Sequence, residues 1–423
     1  MQGEEKIAPE VITVKIPENR EESEESLDMK KKAKSTFPSK KFLIILSLCL
    51  LVFGSGTGIG LYYLLKDNEK ASDFISSVTE KQPEKSAETY SNLTGLPLSD
   101  PSLATAPAFC VQVPNGTDGA RPQAGLNEAG VVFEAIAEAG ITRFAAIFQN
   151  PSSSVIGPIR SLRMYYLNWD TPFDCTITHA GGADDALAAV KSGGYKDLTE
   201  NYTYMWRGQT GTSVNRRWNN LFTSGELLKQ ANSKPSNIKG FARQIPEEAE
   251  TSRIKALATN PLDIDTATSE SVIALAPKVT KITFNYASTA NFSPVYTYNA
   301  KNNTYARAYA SGKPHSVYNC EGDLGKATPE LACGEPVQLA PKVVIAMLVQ
   351  EKRASDNYHE DITSIGSGKA YIFQNGEVIE GTWSKPDKAS QIVFKDASGA
   401  EIALVPGQTW ISAVPTYGSV NYE

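Results

Sequence analysis

Residues 42–65 form 24 consecutive uncharged, mostly apolar positions between Lys41 and Lys66. As a helix rising about 1.5 Å per residue, the run would reach roughly 36 Å, enough to cross a hydrocarbon core of about 30 Å with some tilt. Lys30, Lys31, Lys32, Lys34, Lys40 and Lys41 crowd its leading flank, whereas Lys66 and Lys70 mix with Asp67 and Glu69 on the other. The positive-inside bias then predicts a single-pass membrane protein, with the N-terminus cytoplasmic and the C-terminal domains extracellular. A cleaved signal peptide fits less well, because its apolar region would be about 7–15 residues long and would not follow a long polar tail. Cys49 raises a lipoprotein reading, but Leu48 stands where a small residue is needed, so a buried apolar thiol is preferred. Gly54, Gly56, Gly58 and Gly60 would let two such helices approach closely as a homodimer.

Residues 1–41 join an acidic block to the lysine cluster and carry few aromatics, so they are expected to be a disordered tail with its lysines against membrane lipid. Residues 66–105, rich in Ser, Glu, Lys and Pro, read as a flexible stalk. The net charge of −6 with no basic stripe beyond the tail argues against nucleic acid as a partner. Four cysteines remain, and an even number in an oxidising compartment favours bridges. Cys320 and Cys333 flank a short Gly- and Pro-containing insert that a bridge would close, and Cys110 and Cys175 lie in strand-like runs that a second bridge would join. The absence of CxxC or HxxxH spacing speaks against a metal site, and no cofactor signature is present.

The runs 108–113, 131–136, 143–149 and 173–179 read as strands, with helices expected over Ile159–Trp169 and Asp184–Ser192. From about residue 277 strand and turn patterns dominate, with hairpin turns at Asn375-Gly376 and Ser398-Gly399. The expected fold class is α+β: a layered α/β sandwich-like N-terminal ectodomain (106–250) and a strand-rich C-terminal domain (277–420), on a single transmembrane helix.

Several ordered motifs carry a family resemblance. Arg121-Pro122-Gln123-Ala124-Gly125-Leu126, Glu134, Gly140 to Phe144, Gly157 to Arg163 and His179-Ala180-Gly181-Gly182 are followed by Gly381 to Lys385 and Pro406 to Ile411. In this the chain resembles the YerB-like (DUF3048) proteins of bacterial envelopes. The resemblance spans about residues 106–415 and implies two domains tethered to the membrane, with no established activity. Family members commonly carry Pro-His-Asn where this chain has Trp218, Asn219 and Asn220, and many are lipoproteins.

For chemistry, Gly157 to Arg163 reads as a helix start on which Arg160 and Arg163 face one side and hold a phosphate or carboxylate. Arg143 and Arg121 join them as ligand-binding candidates. The competing reading has these arginines pinning loops through Glu134 and Glu138. His179, at a strand end before a glycine turn, is a candidate base, with Asp184 or Glu134 as the carboxylate; otherwise it secures the loop and Asp184 caps a helix. His315 reads as an exposed turn residue, and His359 receives no role. Trp206, Trp218, Trp383 and Trp410 offer sugar-stacking surfaces, although Trp410 reads better as core. The leading expectation is a cell-surface protein binding a cell-wall component, anionic or carbohydrate. Its competitors are an envelope hydrolase or transferase using His179, and a structural or assembly protein whose arginines are taken by internal carboxylates.

Overall fold

The computed structural model describes residues 88–208, 219–257, 277–322 and 331–423. The leading tail, the 42–65 run with Cys49, most of the expected stalk, and Trp218 lie outside them.

Ten strands build one mixed sheet: β1 (Ala108–Pro114), β2 (Val131–Glu138), β3 (Ile141–Gln149), β4 (Thr176–His179), β5 (Lys196–Thr199), β6 (Val343–Val349), β7 (Gly366–Gln374), β8 (Glu377–Lys385), β9 (Val393–Asp396) and β10 (Thr409–Pro415). Their order across the sheet is β9-β8-β7-β6-β10-β2-β3-β1-β4-β5. β10 lies parallel between β6 and β2, with Thr409 opposite Val131 and Ser412 opposite Glu134.

This corrects the expected fold class. In place of a sandwich-like N-terminal unit followed by a separate strand-rich unit, strands from both halves share one hydrogen-bonded sheet, and strand dominates over helix. The reason is burial. Val131 to Ala137, Val343 to Met347 and Thr409 to Val414 are buried on both faces, and such strands need neighbours on both edges and cover on both sides. Among the described residues no helix is long and apolar enough to cross a membrane.

Alternation sends successive side chains to opposite faces. Cys110, Phe133, Ile147 and Ile411 face one core, under helix α1 (Met164–Asp170) with Tyr165, Tyr166 and Trp169. Phe133 stacks on Trp169 with centroids 5.3 Å apart, and burial of a side chain of that size contributes about 2–3 kcal/mol. Phe109, Val111, Val132, Phe144 and Trp410 face a second core. That face is covered by a four-stranded antiparallel sheet of Thr304–Tyr309, Pro294–Asn299, Lys281–Asn285 and Ser419–Tyr422.

Two local features differ from expectation. Helix α1 begins at Met164, and Ile159 to Arg163 before it are not helical. Their backbone donors go across the fold instead: Ile159 to Leu221 O, Arg160 to Gln112 O and Leu162 to Gly181 O, which removes the partners a helix would need. Helix α2 spans Asp184–Lys191, with Ala183 as an N-cap that makes no side-chain bond. The Asn375-Gly376 turn between β7 and β8 holds both residues at positive φ, 57° and 74°, as a tight hairpin requires. Both expected disulfides are formed: Cys110–Cys175 ties β1 to the residue before β4, and Cys320–Cys333 closes a hairpin.

Candidate functional site

Three polar clusters hold the expected catalytic and ligand-binding candidates other than Asp184. The first is sealed between the central sheet and its covering sheet. Glu134 of β2 accepts from Arg307 Nη2 at 2.9 and 2.8 Å, from Trp410 Nε1 at 3.0 Å and from Thr142 Oγ1 at 3.0 Å. Arg307 also contacts Nδ1 of His315, whose Nε2 lies 3.0 Å from Gln123 Oε1. Burial, and then the charge of Arg307, hold His315 well below the ordinary histidine value, so the ring is neutral. Arg121 reaches this cluster from its edge. Its guanidinium lies 3.8 Å above the Tyr309 ring, and its Nε donates to Asn115 Oδ1 at 2.8 Å. Glu134 and Arg121, expected as separate candidates for catalysis and ligand binding, are thus parts of one buried network.

The second cluster is centred on Glu138. Arg143 donates to its Oε1 at 2.7 Å and Arg163 to its Oε2 at 2.6 Å. Burial pushes the Glu138 carboxyl up, but the two guanidiniums more than offset this and hold it below its usual range. Arg160 adds its charge to the same field, and its buried Nε has no hydrogen-bond partner among the described residues.

The third is His179. Its Nδ1 lies 2.7 Å from Gly181 O and its Nε2 lies 2.9 Å from Asp197 Oδ1. Both ring nitrogens face acceptors, and the side chain is fully buried. Burial raises Asp197, and the hydrogen bonds from His179 and Thr199 bring it below the ordinary value. The carboxylate beside His179 is therefore Asp197, not Asp184 or Glu134.

Asp184 stands apart from these clusters, exposed at the start of α2. With Asp185 it lines a cleft of about 760 Å³ that also takes in Arg163 and Asn168 from the α1 side. The far wall is a hairpin of Glu351–Arg353 and Glu360–Ile362, docked on the end of β2 by a backbone bridge between His359 and Glu138. At its tip Asp356 accepts from the backbone N–H groups of His359 and Tyr358, which, with the His359 ring, bring its carboxyl down to about 2. On the back of the hairpin, Glu351 accepts from Tyr417 at 2.9 Å. Burial pushes the Glu351 carboxyl up to about 7. Of the tryptophans, Trp383 and Trp410 are core, and Trp206 packs on Phe222. Among the described residues no group of three or more His, Cys, Asp and Glu side chains is placed to hold a metal ion.

Sequence reasoning passed over Arg307 and the cleft hairpin, and took for an exposed turn residue a histidine, His315, that is buried. Arg307 had a signal: it shares the inward period of Tyr305 and Tyr309 on its strand, and an arginine on a buried face implies a buried partner. His315 and the hairpin carried no comparable pattern.

The sequence motifs at these clusters are matched along their length. Residues 93–238 match the N-terminal domain, and residues 282–411 the C-terminal domain, of the proteins of unknown function DUF3048. The chain belongs to the DUF3048 family. This DUF3048 chain is 28% identical, over 336 residues, to a putative lipoprotein YerB of Bacillus subtilis (strain 168), covering 79% of the chain and 88% of that relative. The crystal structure of YerB protein from Bacillus subtilis has the same fold, with a TM-score of 0.59 and 24% identity over 79% of this chain and 100% of that one.

The relative also corrects the expected localisation. It is named a lipoprotein, a class held to the membrane by acyl chains, which stands against the single-pass reading with a cytoplasmic N-terminus. The expected spanning run at 42–65 lies outside the described residues, and the described part of the DUF3048 chain offers no spanning helix in its place.

Proposed function

We propose that this DUF3048 protein is a carbohydrate-binding protein of the cell surface, and that its ligand lies in the cleft between α1, the Gly182–Asp185 turn and the Glu351–Ile362 hairpin. The observation that carries this reading is the charge of the cleft. Asp184, Asp185, Asp356, Glu360 and Asp361 line it against Arg163, Lys352 and Arg353, and Arg163 is already held by Glu138. An anionic ligand would meet charge of its own sign, whereas sugar hydroxyls donate well to carboxylates. Asn168 and Ser364, joined by a 2.9 Å hydrogen bond in the same cleft, add neutral donors and acceptors. The cell-surface part of the reading is supported by the two disulfides, which persist in oxidising compartments, and by the lipoprotein name of the relative.

Titration calorimetry with N-acetylglucosamine oligomers, and with an acidic polysaccharide for comparison, tests it. Binding of the neutral oligomer should weaken about tenfold or more in Asp184→Asn/Asp185→Asn, because each lost charged hydrogen bond is worth roughly 1.5–3 kcal/mol. Preference for the acidic polymer, undiminished in that variant, would reject the proposal. A second reading, as a structural or assembly protein, is favoured by the capture of Arg143 and Arg163 by Glu138. It predicts that neither saccharide binds.

A further inference from the structure

A second pocket, remote in composition from the acidic cleft, lies between the helix Pro246–Leu257 and the turn at residues 301–303, and has a volume of about 350 Å³. Leu96, Pro97, Pro246, Val405 and Pro406 form an apolar wall, and the charged lining is Arg253, Lys301 and Lys342 against the single carboxylate of Glu250. Glu250 is engaged by Arg253, which donates to it at 2.9 and 2.6 Å. Lys342 Nζ donates to a neutral acceptor, the carbonyl of Asn302, at 2.6 Å. Among the described residues neither Lys301 nor Lys342 has an ion-pair partner.

The fold makes room for this lysine. Gly407 sits at φ +128°, and a Cβ there would come within 2.4 Å of Lys342 Cγ, so glycine at this turn lets the lysine stem lie along the backbone. Burial, and then the charge of Arg253, hold the Lys342 ammonium below its ordinary value. That is the behaviour of a cation short of counter-charge in a partly dry, positive site.

We propose that this pocket binds the phosphate of a phosphoester, with Lys301 and Lys342 as its counter-ions and the proline-lined wall against the carbon part of the ester. Two ammoniums act as point charges and suit a tetrahedral oxyanion. A planar carboxylate would favour a guanidinium fork, and the one present here is closed by Glu250. The site is independent of the carbohydrate reading of the cleft and stands or falls without it.

The test is titration calorimetry of the full chain at low ionic strength with inorganic phosphate, glycerol 3-phosphate and dihexanoyl phosphatidylglycerol, with glycerol as the uncharged control. Glycerol 3-phosphate or the short-chain lipid is expected to bind and glycerol not to. Binding of the first alone assigns a soluble phosphoester, and binding of the second alone a lipid headgroup; both results support the phosphate chemistry. Lys301→Gln/Lys342→Gln should weaken binding about tenfold or more. Should that variant fold poorly, Lys301→Glu, a change at an exposed position, should weaken it likewise while the melt stays within about 2 °C of the parent. Lys191→Gln, an exposed lysine at the end of α2 that lines neither pocket, should leave binding unchanged. Failure of all three phosphate probes to bind, or equal binding by the parent and the Lys301→Glu protein, overturns the proposal.

Discussion

Glu134 and Arg307, 173 positions apart in sequence, meet through two hydrogen bonds of 2.9 and 2.8 Å, with neither side chain exposed to solvent. The pair joins the central sheet to the sheet that covers it. Removing one partner leaves a charge without compensation in a dry interior, so Arg307→Ala or Glu134→Ala should each cost about 3–5 kcal/mol. Urea melts measure this, and the Glu134→Leu/Arg307→Met double variant should lose much less than the sum of the single changes.

Arg163 and Arg160 should respond differently to the same substitution. Arg163→Gln removes one of the two guanidiniums on Glu138 and should lower the melting temperature clearly, while Arg160→Gln, with no ion pair among the described residues to lose, should change it little. Equal effects would show that Arg160 carries a partner's load as well.

The same carboxylate sets an acid-side dependence. Because the two guanidiniums hold Glu138 below the ordinary glutamate value in the folded protein, its stabilisation is present above that ordinary value and is lost as pH falls through the lower folded one. Thermal melts from pH 6 downward should therefore show a decline that is shallower in Glu138→Gln.

Glu351 carries the opposite sign. Its carboxyl is pushed from 4.5 up to about 7, so the folded state holds a proton the unfolded chain has released, and stability falls as pH rises from below 5 through about 7. Glu351→Gln, which keeps an acceptor for Tyr417, should melt higher than the parent at pH 8 and lose most of that advantage at pH 5. A difference of the same size at both pH values would assign the effect to something other than this titration.

The two disulfides should differ in weight. On the chain-entropy account a bridge spanning 65 positions is worth about 4 kcal/mol and one spanning 13 about 3 kcal/mol. Calorimetry of Cys110→Ser/Cys175→Ser beside Cys320→Ser/Cys333→Ser should show the larger drop for the first pair.

What could be read from the chain was local. Runs of β-branched and aromatic residues marked β1, β2 and β3, the Asn375-Gly376 dipeptide marked its hairpin, and the four cysteines expected to form bridges do form them. The pairing of β10 with β2 was not legible, because a strand buried on both faces carries no sign of which distant strand lies beside it. Arg160 and Arg163 misled for a related reason. Their spacing suits a helix, but the carbonyls of Gln112, Gly181 and Leu221 around them draw the backbone into an extended path. His315 looked like a turn residue because its burial comes from Arg307, Tyr309 and Trp410, which only the folded chain assembles around it.

The seat of β10 between β6 and β2 also dictates when the molecule can be completed. Until residues 409–415 have emerged, β2 and β6 each present an unpaired apolar edge near the middle of the sheet, a surface prone to pair with other chains. The sheet is thus closed by a strand that is made after both of the strands it joins. A chain cut short before Thr409 would lack the keystone of its sheet, and loss of that one strand should leave the strands on either side of it prone to aggregate.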